Sequence, residues 1–132
     1  MRIFIADDQI KVRSALRLLL EQEPGLRVVG EAAETESLLA QAEATQPDLM
    51  LLDWELPNLV GVNSSTGSGS RLLAALRARC PRLVVIALSG RLEARQAAMT
   101  AGADAFVSKG DPPERLLAAL QAVEATMNRP AL

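Results

Sequence analysis

Five short, mostly apolar runs alternate along this chain with segments of helical periodicity. The runs lie at Ile3–Ala6, Leu26–Gly30, Asp48–Asp53, Leu83–Leu88 and Asp104–Ser108. Strands covered on both faces of a parallel sheet carry continuous apolar runs, whereas half-exposed strands alternate apolar and polar residues. The pattern therefore predicts a parallel sheet with helices on both of its faces.

Helical segments separate the runs. The predicted helices lie at Val12–Leu20, Ser37–Ala44, Arg71–Arg79, Leu92–Ala101 and Pro113–Met127. Gly102 suits the end of the fourth helix, and Pro113 suits the first turn of the fifth. Right-handed crossovers between parallel strands then predict a doubly wound α/β fold, whose site forms at the carboxyl ends of the strands.

Composition removes several classes of function. The 132 residues suit one domain, and a net charge of −2 gives no basic face for nucleic acid. The chain has no histidine and one cysteine, Cys80, which excludes histidine-based triads, cysteine zinc sites and internal disulfides. Neither a signal peptide nor an apolar run of membrane-spanning length is present in the sequence, so we expect a cytoplasmic protein that does not bind membranes.

The segment 58–70 breaks the regular alternation. It is rich in Gly, Ser and Asn and lies between the third predicted strand and the third predicted helix. This composition predicts a flexible loop. It lacks the Gly-Lys-Ser/Thr ending that a phosphate-binding P-loop requires, so we do not interpret it as one.

Polar residues follow four of the five runs at their carboxyl ends. They are Asp7, Asp8, Asp53, Ser89 and Lys109. In the predicted fold these side chains meet at one edge of the sheet, where close carboxylates repel one another unless a cation compensates. Mg²⁺ prefers such oxygen ligands. A metal-assisted phosphoryl site is therefore predicted, with a lysine as second positive charge and a serine hydroxyl as donor.

At these positions the chain resembles the response-regulator receiver domains of bacterial two-component signalling. The matching pieces are Ile5–Asp8, Pro47–Asp53, Leu56–Pro57, Leu88–Gly90, Ala101–Lys109 and Pro113–Leu117. The resemblance covers nearly the whole chain. It implies a flavodoxin-like sheet with strand order 2-1-3-4-5, a receiver domain over residues 1–128 and a short tail over 129–132.

The resemblance also implies a role for each site residue. Asp53 would be the phosphoacceptor; Asp7, Asp8, Asp53 and the backbone carbonyl of Glu55 would hold Mg²⁺. Ser89 would be the switch hydroxyl, Lys109 would pair with the phosphoryl group, and Phe106 would be the switch aromatic. Glu55 and Arg91 lie where the family tunes the rate at which water removes the phosphoryl group.

Two departures from the family pattern bear on switching. Gly61 lies eight residues after Asp53, as is usual in the family, but a second helix start follows at Gly69-Ser70-Arg71. This predicts an insertion of about eight residues beside the acceptor, as a tolerated loop or a lid. The segment from Ser89 to Lys109 is about two residues shorter than is usual in the family.

Each site residue also has a structural explanation when it is taken alone. Asp7 and Asp8 could be a solvated strand end, Asp53 a helix N-cap, Ser89 a turn residue before Gly90, Lys109 a surface lysine and Phe106 a core residue. The ordered combination at strand ends favours the functional interpretation of the set.

The resemblance implies partners as well. A histidine kinase or phosphotransfer protein would donate the phosphoryl group, and the fourth helix, fifth strand and fifth helix would contact a downstream protein. We expect no output domain within this chain, because few residues follow Met127. Ala118, Gln121, Ala122 and Ala125 face away from the core side of the last helix, so a homodimer through this helix is an alternative.

Three functions from different classes remain open. The first is a phosphoacceptor signalling domain, which turns over no separate substrate. The second is a pseudo-receiver that binds partners without phosphorylation, motivated by the loop beside Asp53. The third is a Mg²⁺-dependent phosphohydrolase, for which Glu55 stands where haloacid-dehalogenase-like enzymes place a second aspartate.

Overall fold

Ten regular elements make up the part of the chain that the structure, a computed structural model, describes: residues 1–56 and 68–127. The strands are β1 Arg2–Ala6, β2 Arg27–Ala32, β3 Leu49–Asp53, β4 Val84–Ser89 and β5 Ala105–Ser108. The helices are α1 Ile10–Glu21, α2 Thr35–Thr45, α3 Ser68–Arg79, α4 Ala94–Ala101 and α5 Pro113–Met127. All strand pairs are parallel, in the order β2-β1-β3-β4-β5. The predicted doubly wound fold and strand order are confirmed.

Apolar side chains pack on both faces of the sheet. Alternate strand residues such as Phe4 and Met50 point to one face, where α2, α3 and α4 cover them. Their neighbours, such as Ile5 and Leu51, point to the other face, under α1 and α5. All five residues of β3 are buried, as expected for the central strand. Two-sided burial is the reason that the strands carry continuous apolar runs.

Helix α3 begins at Ser68, three residues before the predicted start, so the predicted loop over 58–70 is wrong for residues 68–70. Glycine is a poor helix former, and the Gly/Ser composition therefore predicted loop. Packing explains why glycine stands at this helical position: a Cβ on Gly69 would lie 2.6 Å from Cζ2 of Trp54, so only glycine fits this closely against the indole. Residues 58–67 of the predicted insertion and the predicted tail 129–132 lie outside the described residues.

Helix α4 begins at Ala94, two residues later than predicted. The Ala94 and Arg95 amides donate to the carbonyls of Arg91 and Leu92, three residues back, so the chain enters the helix through a tighter turn. Leu92 is 70% exposed and does not contribute to the buried face. Its apolar character extended the helical pattern in the sequence beyond the helix.

No helix within the described residues is both long enough and apolar enough to span a membrane.

Gly30 in β2 lies directly against the ring of Phe4. A Cβ at this position would be 2.7 Å from Cε2 of that buried ring, which has no room to move away. We expect Gly30→Ala to lower the free energy of unfolding by about 1–3 kcal/mol, the cost of overpacking a core. Urea denaturation measures this difference.

Gly90→Ala is the matched control, since a Cβ there meets nothing within 4 Å. We expect it to change stability by less than about 0.5 kcal/mol. Equal stability of the two variants would contradict the close contact between β2 and Phe4.

Candidate functional site

Strand register brings the predicted polar residues to one edge of the sheet. Ala6 pairs with Leu52, so Asp7 and Asp53 follow adjacent positions on β1 and β3. Ser89 pairs with Ser108, and the amide of Lys109 donates to the Ser89 carbonyl at 2.8 Å. Ends of four strand segments that are distant in sequence therefore meet at a single site.

Three carboxylates form the acidic part of the site. Asp7, Asp8 and Asp53 each place an oxygen within 4.8 Å of the others. Asp7 and Asp53 are 1% exposed, whereas Asp8 is exposed to solvent. Two buried carboxylates with one at the surface make an acidic pocket that is open on its outer side.

Lys109 bridges the two buried carboxylates. Its Nζ lies 2.8 Å from Oδ2 of Asp7 and 3.2 Å from Oδ1 of Asp53. Burial lowers the pKa of Lys109, but its contact with Asp7 and the charges of Asp53 and Asp7 outweigh burial, so the pKa lies above its ordinary value. The lysine is therefore a permanent positive charge at neutral pH.

Opposing effects act on the pKa of the Asp53 carboxyl group. Burial raises its pKa, and the charge of Asp7 raises it further; the Glu55 amide and Lys109 act against this, and the pKa remains above its ordinary value. The Glu55 N–H donates to Oδ1 of Asp53 at 2.9 Å. This amide belongs to a tight turn directly after β3, which orients the carboxylate from its own strand.

We expect Asp53→Asn to stabilise the metal-free fold. The folded pKa of Asp53 is raised, so the folded state holds the proton more tightly than the unfolded state. Its ionisation lowers the free energy of unfolding as pH rises from about 3.9, the ordinary value, through the raised pKa. Asparagine removes the charge and keeps an oxygen for the Glu55 amide, so we expect a gain on the order of 1 kcal/mol at pH 7.

Urea denaturation at pH 7 and near pH 3.5, both with chelator, measures this gain. We expect the gain to shrink at the lower pH, where the wild-type carboxyl is protonated. A variant that is less stable than wild type at both pH values would contradict the electrostatic account of Asp53.

The donor set suits a hard divalent cation. Oδ2 of Asp7 is buried and, among the described residues, accepts no well-directed hydrogen bond; its close neighbour is the Lys109 ammonium. Carboxylate oxygens with one open side match the ligand preference of such a cation. The Glu55 amide contacts Asp53, and the role of the Glu55 carbonyl as a ligand stays a prediction.

The side chain of Glu55 makes a contact that the sequence did not predict. The Ser89 hydroxyl donates to Oε1 of Glu55 at 2.7 Å, and the Arg91 amide donates to the Ser89 hydroxyl at 3.0 Å. The structure thus places Ser89 at the site but directs its proton to Glu55.

A second unpredicted residue fixes the end of β1. Arg13 in α1 donates to the backbone carbonyl of Asp7 at 2.6 Å and forms an ion pair with Glu31 at 3.2 Å. The Asp7 carboxylate in turn accepts from the Gln9 amide at 2.9 Å. The sequence signal that could have identified Arg13 is its position one turn into α1, five residues after Asp8.

Phe106 lies on β5, and β4 separates it from the strand that carries Asp53. It is partly buried on β5 and packs against the core face that α2, α3 and α4 cover. Its place is compatible with both the core and the switch interpretation, and its role as a switch stays a prediction.

Comparison with known proteins agrees with the family that the sequence motifs resemble. The family model described as the response regulator receiver domain matches residues 3–121. The nitrate/nitrite response regulator protein NarL of Escherichia coli K12 is 33% identical over 118 residues, which cover 89% of this chain and 52% of NarL. The chain therefore spans about half the length of this curated relative.

Solved structures agree in fold. A LuxR-family two-component response regulator from Aurantimonas sp. SI85-9A1 superposes with a TM-score of 0.78 at 27% identity, covering 95% of this chain and 85% of that one. The isolated REC domain of RcsB from Salmonella enterica serovar Typhimurium, determined in the presence of phosphomimetic BeF₃⁻, gives 0.79 at 25% identity, with 95% and 88% covered. By sequence and by fold, the chain belongs to the response regulator receiver domain family of two-component systems.

Proposed function

We propose that Asp53 accepts a phosphoryl group from a histidine kinase or phosphotransfer protein and that the resulting charge switches a protein-binding face. One observation carries this proposal. The buried Asp53 carboxylate is held by Lys109 at 3.2 Å and by the Glu55 amide at 2.9 Å, beside two further carboxylates. A nucleophile fixed by a cation and a backbone donor is what phosphoryl transfer requires, since positioning and charge stabilisation supply most of its catalysis.

Transfer of the phosphoryl group forms one bond and breaks one, and it needs no reactant besides the donor and Asp53. A carboxylate oxygen of Asp53 forms a bond to phosphorus as the bond from phosphorus to the donor's histidine nitrogen breaks. The electron pair of the broken bond stays on that imidazole, which takes a proton from solvent. Lys109 lies close enough to Asp53 to offset charge on the transferred phosphoryl oxygens.

Mg²⁺ is the cofactor of this proposal. Asp7, Asp8 and Asp53 would hold the ion, with the Glu55 carbonyl as a further ligand, and the buried oxygen of Asp7 supports this assignment. When bound, the ion would neutralise the negative charge that Asp53 and the incoming phosphoryl group bring together. The exposed side of Asp8 leaves the pocket open to solvent, as entry of an ion and a donor requires.

Switching would follow from the added charge. An aspartyl phosphate adds roughly one to two negative charges beside Ser89, and Phe106 would follow the movement of that hydroxyl. The output face would comprise α4, β5 and α5 and would bind a downstream protein or a second copy of this chain in the cytoplasm. The exposed small residues Ala118, Ala122 and Ala125 on α5 support close packing there.

The relatives support the signalling role. The RcsB REC domain was studied with a phosphomimetic, which is the chemistry proposed for Asp53. NarL is a response regulator by name, and this chain corresponds to about half of it. We therefore propose a signalling domain whose only chemistry is its own phosphorylation and dephosphorylation.

The test is the intact mass of the protein after incubation with acetyl phosphate. We expect one phosphoryl adduct with Mg²⁺ and none with chelator. Fluorescence of Trp54, the single tryptophan, buried next to Asp53, follows Mg²⁺ binding in the same samples. Mg²⁺ binding without an adduct or consumption of the donor would favour the pseudo-receiver, and turnover of a generic phosphomonoester would favour the phosphohydrolase.

A further inference from the structure

The single donor proton of the Ser89 hydroxyl is used in this structure. Ser89 is 0% exposed, its proton is donated to Oε1 of Glu55 at 2.7 Å, and its oxygen accepts the Arg91 amide at 3.0 Å. Glu55 lies in the turn after β3, and Ser89 ends β4. The bond therefore ties together two segments that flank the Asp53 carboxylate.

The charge of Glu55 strengthens this hydrogen bond, which adds to the backbone bond from the Trp54 amide to the Leu88 carbonyl at 2.7 Å. A hydrogen bond from a hydroxyl to a carboxylate is roughly twice as strong as one between two neutral groups. By contrast, Arg91 Nε lies 3.9 Å from the same Glu55 oxygen and 3.8 Å from Glu93, and its side chain is 66% exposed. Such exposed ion pairs add little, so the contact with Ser89 dominates.

A hydroxyl has one proton to donate. It can go to the Glu55 carboxylate or to a phosphoryl oxygen on Asp53, but not to both at once. We propose that Glu55 is a positioning residue that holds the Ser89 hydroxyl away from Asp53 in the unphosphorylated protein, a latch that phosphorylation must break. The effect of this latch on phosphorylation rests on the proposed function, whereas the hydrogen bond between Ser89 and Glu55 does not depend on it.

The latch lowers the apparent affinity for a phosphoryl mimic that needs the Ser89 hydroxyl. Only the fraction of molecules in which the bond to Glu55 is broken can bind it fully. Removing Glu55 is therefore expected to tighten binding of beryllofluoride, a phosphoryl mimic, by about tenfold. The effect depends on Ser89. In a Ser89→Ala background, the removal of Glu55 is expected to change the affinity less than about twofold.

Loss of the negative charge of Glu55 would also favour an anion at Asp53. The Ser89→Ala background separates this charge effect from release of the hydroxyl, because it lacks the hydroxyl. Beryllofluoride titrations with Mg²⁺, followed by Trp54 fluorescence, compare wild type, Glu55→Ala, Ser89→Ala and the double variant. Tightening as large in the Ser89→Ala background as in the wild-type background would overturn the latch, because Glu55 would then act by charge alone.

A measurement without any phosphoryl mimic tests the contact on which the latch depends. Urea denaturation of the same four proteins in chelator forms a double-mutant cycle. We expect the double variant to lose less stability than the sum of the single variants. Glu93→Ala is the matched control, since Glu93 also contacts Arg91 but is not bonded to Ser89, and its effect is expected to add to that of Ser89→Ala.

Additive losses for Glu55→Ala and Ser89→Ala would overturn the latch. If no protein binds beryllofluoride or gains a phosphoryl adduct while the cycle shows coupling, the proposed function fails and the contact stands. The two proposals therefore fail in distinguishable ways.

Discussion

Asp53→Asn is expected to reduce formation of the phosphoryl adduct by at least about 100-fold, because the amide is not a nucleophile under these conditions. The substitution keeps the size of the side chain and an oxygen for the Glu55 amide. The variant is also expected to be at least as stable as wild type, since it removes a charge that burial disfavours. The loss of the adduct therefore cannot result from unfolding. Intact mass after incubation with acetyl phosphate and Mg²⁺ measures the effect.

Asp48→Asn is the matched control for this variant. Asp48 precedes the same strand, β3, at the opposite edge of the sheet, and accepts the Arg2 amide at 2.8 Å. Asparagine keeps that acceptor, so we expect a normal adduct. An adduct that survives Asp53→Asn in full would contradict Asp53 as the acceptor.

Lys109→Met is expected to lower the free energy of unfolding by about 2–3 kcal/mol at pH 7.5 in chelator. Methionine keeps much of the apolar stem but leaves Asp7 and Asp53 facing each other without a cation. Removal of one partner from a buried ion pair costs about 3–5 kcal/mol. The loss expected for Lys109→Met is smaller because about a quarter of the lysine side chain is exposed to solvent.

The loss should depend on pH. Burial and the charge of Asp7 already raise the pKa of Asp53, and without the lysine the folded state holds the proton of Asp53 still more tightly than the unfolded state does. The loss is then greatest above the raised pKa of Asp53 and disappears as pH falls toward about 3.9. The raised pKa of Lys109 keeps the wild-type lysine charged throughout this range.

Lys11→Met, on the exposed side of α1, is the control, and we expect it to change stability by less than about 0.5 kcal/mol at either pH. Urea denaturation at pH 7.5 and pH 4 measures both variants. A Lys109→Met protein as stable as wild type at pH 7.5 would contradict the role of Lys109 as the compensating charge.

The fold could be predicted because its main signals are local. The four residues of β3 before Asp53 are apolar because helices cover both faces of this strand, and this leaves a pattern in consecutive residues. The start of α3 could not be predicted in this way. Gly69 fits against Trp54 because it has no Cβ, and this contact joins residues whose proximity is not encoded by local periodicity.

The site shows the same division. Asp7, Asp53, Ser89 and Lys109 converge because each ends a parallel strand, and a topology rule is enough to predict that. The bond from Ser89, at the end of β4, to Glu55, in the turn after β3, follows from the rotamers of two side chains 34 residues apart, which no residue pattern specifies. The sequence therefore predicts which residues meet but not which hydrogen bonds they form.

The most direct test of the central claim locates the phosphoryl group chemically. Borohydride reduces an acyl phosphate to an alcohol, which converts the modified aspartate into homoserine and releases phosphate. Phosphorylated protein treated in this way and digested is then sequenced by mass spectrometry. We predict homoserine at position 53 only when Mg²⁺ was present during phosphorylation. Homoserine at position 7 or 8, or none at position 53 in protein that carries the adduct, would contradict the account.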